Sequence, residues 1–379
     1  MIVRTLLLAL ALLGAGTSAA AQPERPSLPR NADPNDWEAY YDEGVSLLNR
    51  GRSANAQKAF YWSSRMDPSR AEPLYGLRVA LFLDDFRLWE RYMRDDRDAL
   101  RHPTAVRADS LMDEAMLRSP FVPRSLNLLL YNQLPGDWGR DPTTLGWLAF
   151  AKPDMEKAVE HFTRAVETRP GNVGRRMDLA QALVVLGRMD EAAVQVQAVL
   201  AELRRQDERE LVRVYESKEM LEYALGLLYL SARRNDAARE ALERALVENA
   251  AAFAAHRGMA LLARVQGDRD RAAEEHGQAV EIAGAHPLLD IEYGAALVDA
   301  RRPAEALPYL TRVVEREPFW ADARLELGRA YDAAGKREEA LAAYERYLEL
   351  APRKSATTIA AVRRQIERLR AAPAAPPPG

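Results

Sequence analysis

The chain has 379 residues, 48% of them apolar, with a formal net charge of −3. The apolar share is enough for a buried core, and a mix rich in Ala, Leu, Arg and Glu excludes a disordered or collagen-like chain and favours helices over strands. Near-balanced charge gives no bias toward nucleic acid, and the lack of cysteine excludes disulfides, thiolate metal sites, thiol nucleophiles and thiol-linked lipids.

The chain opens with a cationic Met1–Arg4, an apolar run from Leu6 to Leu13 and the small residues Ala19, Ala20 and Ala21. This is the pattern of a secretory signal peptide over residues 1–21, with cleavage expected after Ala21. The apolar run is too short for a stable membrane anchor. Together with the absence of cysteine, it predicts a bacterial export product resident in the periplasm, with secretion beyond it as the alternative. Residues 22–34 contain Pro23, Pro26 and Pro29 and read as an extended linker.

From residue 35 onward the apolar spacing is helical. A first helix pair begins near Trp37 and carries Gly44, Gly51, Ala56, Phe60 and Pro68, and a further helix follows over 71–83. The register slips over 84–103, where Phe82, Phe86, Trp89 and Tyr92 form an aromatic stripe expected on a prolonged helix. It resumes at Thr104–Arg118. A second irregular stretch, 121–138, is expected to contain a helix over 122–133. Gly146, Ala158, Phe162 and Pro170 mark the next pair, and Ala180, Gly187 and Ala192 the one after. An insertion over 202–218 is charged and free of proline, so an extended helix is expected there. Four uninterrupted pairs then reach Lys354. Residues 355–371 form a terminal helix with Ile359, Val362, Ile366 and Leu369 on one face, and 372–379 a Pro-rich disordered tail.

The clearest unit is Ala321–Lys354. Shifted back by thirty-four residues, Gly328, Ala340 and Pro352 fall on Gly294, Ala306 and Pro318; further shifts reach Ala260 and Ala272, then Gly226 and Ala238. A fixed period of this length marks a stacked-repeat solenoid. With small residues at the eighth and twentieth positions and proline at the thirty-second of several units, where Gly284 and Ala250 stand in two others, the chain resembles the tetratricopeptide repeat family over roughly 37–354. The resemblance implies an all-α, right-handed superhelical solenoid of about eight repeats spanning 35–354, with 355–371 as its capping helix. Departures occur at Arg233 and Arg301, which replace the glycine of the turn within a repeat.

No catalytic constellation is written in the chain. His102, His161, His256, His276 and His286 form no metalloprotease pattern, and glycine-rich phosphate loops and nucleophile elbows are absent. No enzyme activity, cofactor or metal is expected, and His276 reads as packing. Cations recur at the turns, at Arg52, Arg188, Arg234, Arg269, Arg302 and Lys336. They suit helix C-termini, and Asp190, Glu191 and Glu305 largely cancel their field.

In the family the resemblance points to, positions five, nine and twelve of each first helix face a concave groove. On this chain they include Tyr41 and Val45; Tyr75, Val79 and Phe82; Trp147 and Phe150; and Tyr223, Leu227 and Leu230. Nearer the C-terminus they become Arg257, Leu261 and Arg264, then Leu325, Arg329 and Asp332. An apolar groove of this kind suits a polypeptide segment. The expected function is a non-catalytic protein–protein interaction scaffold in the bacterial cell envelope, with a protein or peptide partner, no nucleic acid and no membrane span in the mature chain. The alternative is an accessory module that binds an anionic glycan or lipid head group along the basic edge.

Overall fold

A computed structural model describes residues 22–122, 124–134, 138–207 and 217–371. Among them the chain forms twenty α-helices and no strand, packed as adjacent pairs. The first pair is α1 (Trp37–Asn49) and α2 (Ser53–Met66). In the second, α3 (Glu72–Asp84) packs on α6 (Pro103–Arg118), with α4 (Phe86–Tyr92) and α5 (Arg97–Leu100) between them. After the short α7 (Asn127–Tyr131) come α8 (Pro142–Ala151) with α9 (Met155–Thr168), and α10 (Val173–Val185) with α11 (Met189–Asp207). Four regular pairs follow: α12 (Lys218–Ser231) with α13 (Asn235–Glu248), α14 (Phe253–Gln266) with α15 (Arg269–Ala283), α16 (Pro287–Asp299) with α17 (Pro303–Arg316), and α18 (Ala321–Ala333) with α19 (Arg337–Leu350). The last helix is α20 (Ala356–Ala371), whose Val362, Ile366 and Leu369 pack on Tyr344 and Tyr347.

Two helical expectations change. The prolonged helix through Tyr92 is broken at Asp85, which leaves the helical region at φ −127°, ψ 78°. Its carboxylate accepts from Leu88 N and so starts α4 as a separate helix. The helix expected over 122–133 is the five-residue α7, approached through turns. The insertion at 202–218 continues α11 as far as Asp207, and 208–216 lie outside the described residues.

The small residues of the repeat pattern have a direct steric cause. A Cβ on Gly44 would lie 2.6 Å from the Phe60 ring, and one on Gly76 would lie 2.5 Å from the same ring. Phe60, fully buried, is therefore clasped between the first helices of two successive repeats. Leu242 stands in the same relation to Gly226 and Gly258. In these two units one position of the second helix thus ties a repeat to the next, which is the neighbour coupling a solenoid depends on.

The turns inside the repeats need left-handed backbone. Gly51, Gly187, Gly267 and Gly335 supply it at φ 70–80°, but Arg233 and Arg301 adopt φ 58° and 60° without being glycine. The exposed Arg301 carries the steric cost of that conformation, so Arg301→Gly should stabilise the fold by about 1 kcal/mol. Chemical denaturation would measure this; a destabilised variant would mean that the arginine side chain contributes more than its backbone strain costs.

The superhelix closes on itself. Trp62 of α2 meets Phe319 with ring centroids 5.3 Å apart, and Arg65 pairs with Glu317 at 2.6 Å while also donating to the Arg316 carbonyl. On the far side, Lys354 bridges Asp36 and Glu38 at 2.9 and 3.0 Å, and Asn35 donates to the Glu349 carbonyl. The stretch that reads as a linker belongs to this seam. Pro23 accepts from the Trp62 indole, Arg25 lies over the Tyr40 and Trp62 rings, and Asp33 accepts from Arg353 N.

Candidate functional site

The concave face is lined by the first helix of each pair, as the repeat geometry requires, but much of it is occupied by the chain's own irregular segments. Tyr75, Val79 and Phe82 are buried: Tyr75 OH donates to the Asn127 side chain, and Phe82 packs on Tyr92 at 5.1 Å. Trp147 is covered by Tyr131, which also stacks on Trp89. Tyr223 is fully buried under the C-terminal end of α6, where Leu117 joins the core around Leu242, Met259 and Leu288. These five residues are corrected from groove surface to internal packing. Tyr41, Val45, Phe150, Leu227 and Leu230 are half-buried, and Tyr41 rests on Phe60 at 5.6 Å.

The contact that plugs the groove is polar and buried. Arg257 donates to both carboxylate oxygens of Glu292 at 2.7 Å, to Tyr223 OH and to the Leu117 carbonyl at 2.9 Å. Burial alone would lower the pKa of this guanidinium, but Tyr223 and Glu292 more than reverse that and hold it charged. Beside it, Glu114 of α6 meets His286 at 3.1 Å and Arg118 at 2.6 Å. Burial would raise the Glu114 pKa, yet His286 and Arg118 bring it down to about 2.

Among the described residues a chamber of about 280 Å³ lies open between α14 and α18, lined on one side by Ser69 of the loop between α2 and α3. Leu288, Ile291, Ala295, Ala296, Trp320 and Leu325 give it apolar walls. Glu292, Asp299, Asp322 and Glu326 line the α16–α18 side, and Arg264 and Arg269 come from α14 and α15. Two of its lining residues hold buried ring nitrogens with no hydrogen-bond partner, Nδ1 of His276 and Nε1 of Trp320. The repeat register gives the charged character of this region through Arg264, Arg329 and Asp332. It does not show that this region, rather than the aromatic half, remains accessible. No group of acidic or histidine side chains among the described residues is arranged to hold a metal.

His276 takes the place that Leu242 and Leu310 occupy in neighbouring repeats, and burial depresses its pKa to about 4, with Arg257 and Arg264 adding to the effect and Glu292 opposing it. The unfolded chain takes up this proton near pH 6.5, whereas the folded chain resists until about 4. The stabilisation is complete above 6.5 and is lost as pH falls toward 4, by on the order of 3 kcal/mol. His276→Leu should flatten the stability profile over that window in urea titrations. An unchanged slope would show that the imidazole titrates freely in the folded protein.

Profiles described as tetratricopeptide repeat match residues 223–287 and 294–355, and a second one matches 149–210. The chain belongs to the tetratricopeptide repeat family. Proteins of this repeat family and fold typically act as non-catalytic scaffolds for protein–protein interaction. No curated protein sequence matches the chain. Among solved structures, the tetratricopeptide repeat protein is similar to the Cut9–Hcn1 hetero-tetramer of APC/C, at 12% identity over 97% of this chain and 81% of that one, TM-score 0.47. It is also similar to a tetratricopeptide repeat protein from Parabacteroides merdae, at 16% identity over 77% and 98%, TM-score 0.43. A third is YrrB, described as having an unusual peptide-binding site, at 20% identity over 51% and 94%, TM-score 0.38. These similarities concern the fold. Among the described residues no helix of the repeat protein is long and apolar enough to cross a membrane.

Proposed function

We propose that this repeat protein is a non-catalytic scaffold of the bacterial cell envelope that holds a polypeptide segment in the chamber between α14 and α18. The carrying observation is that the chamber keeps apolar walls open beside charged side chains, while the aromatic half of the concave face is filled from within. Its volume lies just below the range of about 300–1,000 Å³ common for small-molecule sites, which suits a side chain and its flanking backbone. The envelope location rests on the signal-peptide pattern of Met1–Ala21. A mature mass beginning at Gln22 in periplasmic extracts would support that location, and an uncleaved cytosolic chain would remove it.

The basic-edge alternative gains no support from the turn cations. Arg188 pairs with Glu191 at 2.6 Å, Arg302 with Glu305 at 2.7 Å and Arg234 with Asp190 at 2.8 Å. For the polypeptide reading, peptides selected from a random displayed library against the full chain should bind saturably. Ala295→Trp, which fills the chamber, should weaken them about ten-fold or more with the melting temperature preserved. Equal affinity for the filled variant would sink the reading.

A further inference from the structure

We infer that Arg324 of α18 and Arg346 of α19 form a second binding site, outside the chamber, that takes a carboxylate side chain from an acidic polypeptide segment. The inference goes beyond the chamber reading and does not rest on it, since neither arginine lines the chamber.

The repeat register shows what this place holds elsewhere in the chain. Glu222, His256, Asp290 and Arg324 stand thirty-four residues apart, each near the start of the first helix of its repeat. In the first three of these repeats a complementary group on the second helix meets the side chain. Asp290, fully buried, accepts from Nε of Arg312 at 2.9 Å on one oxygen and from Nη2 on the other. Glu222 accepts from Arg244 at 3.1 Å, and His256 meets Glu275 at 2.9 Å. In the last repeat the arginine of the second helix is present as Arg346, thirty-four residues after Arg312, but Arg324 stands where the acid was. Two cations thus share the place where the preceding repeat joins an acid to an arginine by a two-pronged contact.

The chain does not balance this pair. Among the described residues Arg324 makes no hydrogen bond or ion pair, and its Nε is buried without an acceptor. The side chain as a whole is half-buried, which leaves part of it open to a ligand and sets it apart from the exposed, solvated Arg264 and Arg269. Desolvation, and after it the Arg346 charge, lower the Arg324 pKa, as a like-charged neighbour must. Arg346 has only Glu349, three residues on in its own helix, and both side chains are exposed, so this surface pair is weakly held. A carboxylate docking between the two arginines would restore the contact that Asp290 makes with Arg312. Because neighbouring repeats fill the equivalent place with a planar carboxylate, the fit is to glutamate or aspartate rather than to a phosphate or lipid head group.

The test uses the full chain and two blocked alanine-background nonapeptides, one with three central glutamates and one with three central glutamines. Inorganic phosphate and phosphatidylglycerol vesicles serve as rival anions. The readout is the Arg324 Nε–H resonance, assigned by its loss in Arg324→Gln, together with titration calorimetry. The glutamate peptide should shift the resonance saturably, bind about ten-fold or more tightly than the glutamine peptide, and weaken as salt rises. Arg346→Gln should remove the preference, and Ala295→Trp in the chamber should leave it intact. Arg324→Glu supplies the carboxylate from within, so its melting temperature should rise and the glutamate peptide should no longer bind. Equal affinity for the two peptides, no shift with either, or a preference that survives Arg346→Gln or is lost in Ala295→Trp would overturn the inference. So would tighter binding of phosphate or vesicles than of the glutamate peptide, or a melting temperature that does not rise in Arg324→Glu.

Discussion

Replacing Arg257 by methionine should cost on the order of 3–5 kcal/mol, because it breaks a buried ion pair from one side. Arg257 is nine-tenths buried and joins four elements: its own α14, Glu292 of α16, Tyr223 of α12 and the end of α6 through the Leu117 carbonyl. Without the guanidinium, Glu292 remains as an uncompensated charge and the carbonyl as an unmatched acceptor, each expensive in a low-dielectric interior. Urea denaturation would measure the loss. The double variant Arg257→Met with Glu292→Leu should recover much of it, since neither charge is then left buried. A loss below about 1 kcal/mol for the single variant would show that α6 is held in the groove by apolar contact around Leu117 rather than by this polar node.

Phe60→Ala should be comparably costly, at about 3–5 kcal/mol. The ring is fully buried and its neighbours on two sides are the bare backbones of Gly44 and Gly76. Glycine has no side chain to relax into the space, so the cavity left behind persists. Phe60→Leu, which installs what Leu242 already is in its own repeat, should cost about 1.5 kcal/mol or less. Thermal and urea unfolding of the two variants would check the contrast. Equal losses would mean that the site depends on the aromatic ring, through Tyr41 stacked on it, rather than on filled volume.

The features legible in the sequence are those that recur. Gly44, Gly226, Gly294 and Gly328, with the matching Ala238, Ala306 and Ala340, announce helix pairs because each repeat meets its neighbour in the same way. What was not legible is what happens once. The plug at the concave face relies on the Leu117 carbonyl, a backbone atom that no side-chain pattern reports. Tyr75, Trp147 and Tyr223 occupy groove positions in register, yet residues of the irregular stretches 84–103 and 121–138 and the end of α6 cover them. The fourth position, where the family pattern calls for a bulky residue, holds Glu222 and Asp290. Both are buried and each accepts from an arginine of its own second helix, Arg244 at 3.1 Å and Arg312 at 2.9 Å. These substitutions are visible in the sequence, but their meaning depends on the facing helix.

The seam between Trp62, Arg65 and Asp36 on one side and Phe319, Glu317 and Lys354 on the other also constrains how such a chain can change. An open solenoid tolerates the gain or loss of a repeat, since each added unit meets its neighbours alone. Here one unit more or fewer would rotate the last pair away from the first and strand Glu317, Trp62 and the 22–36 strap without partners. Repeat number is therefore a fixed quantity in this architecture, and variation is confined to loops and insertions such as 84–103 that leave the circuit closed.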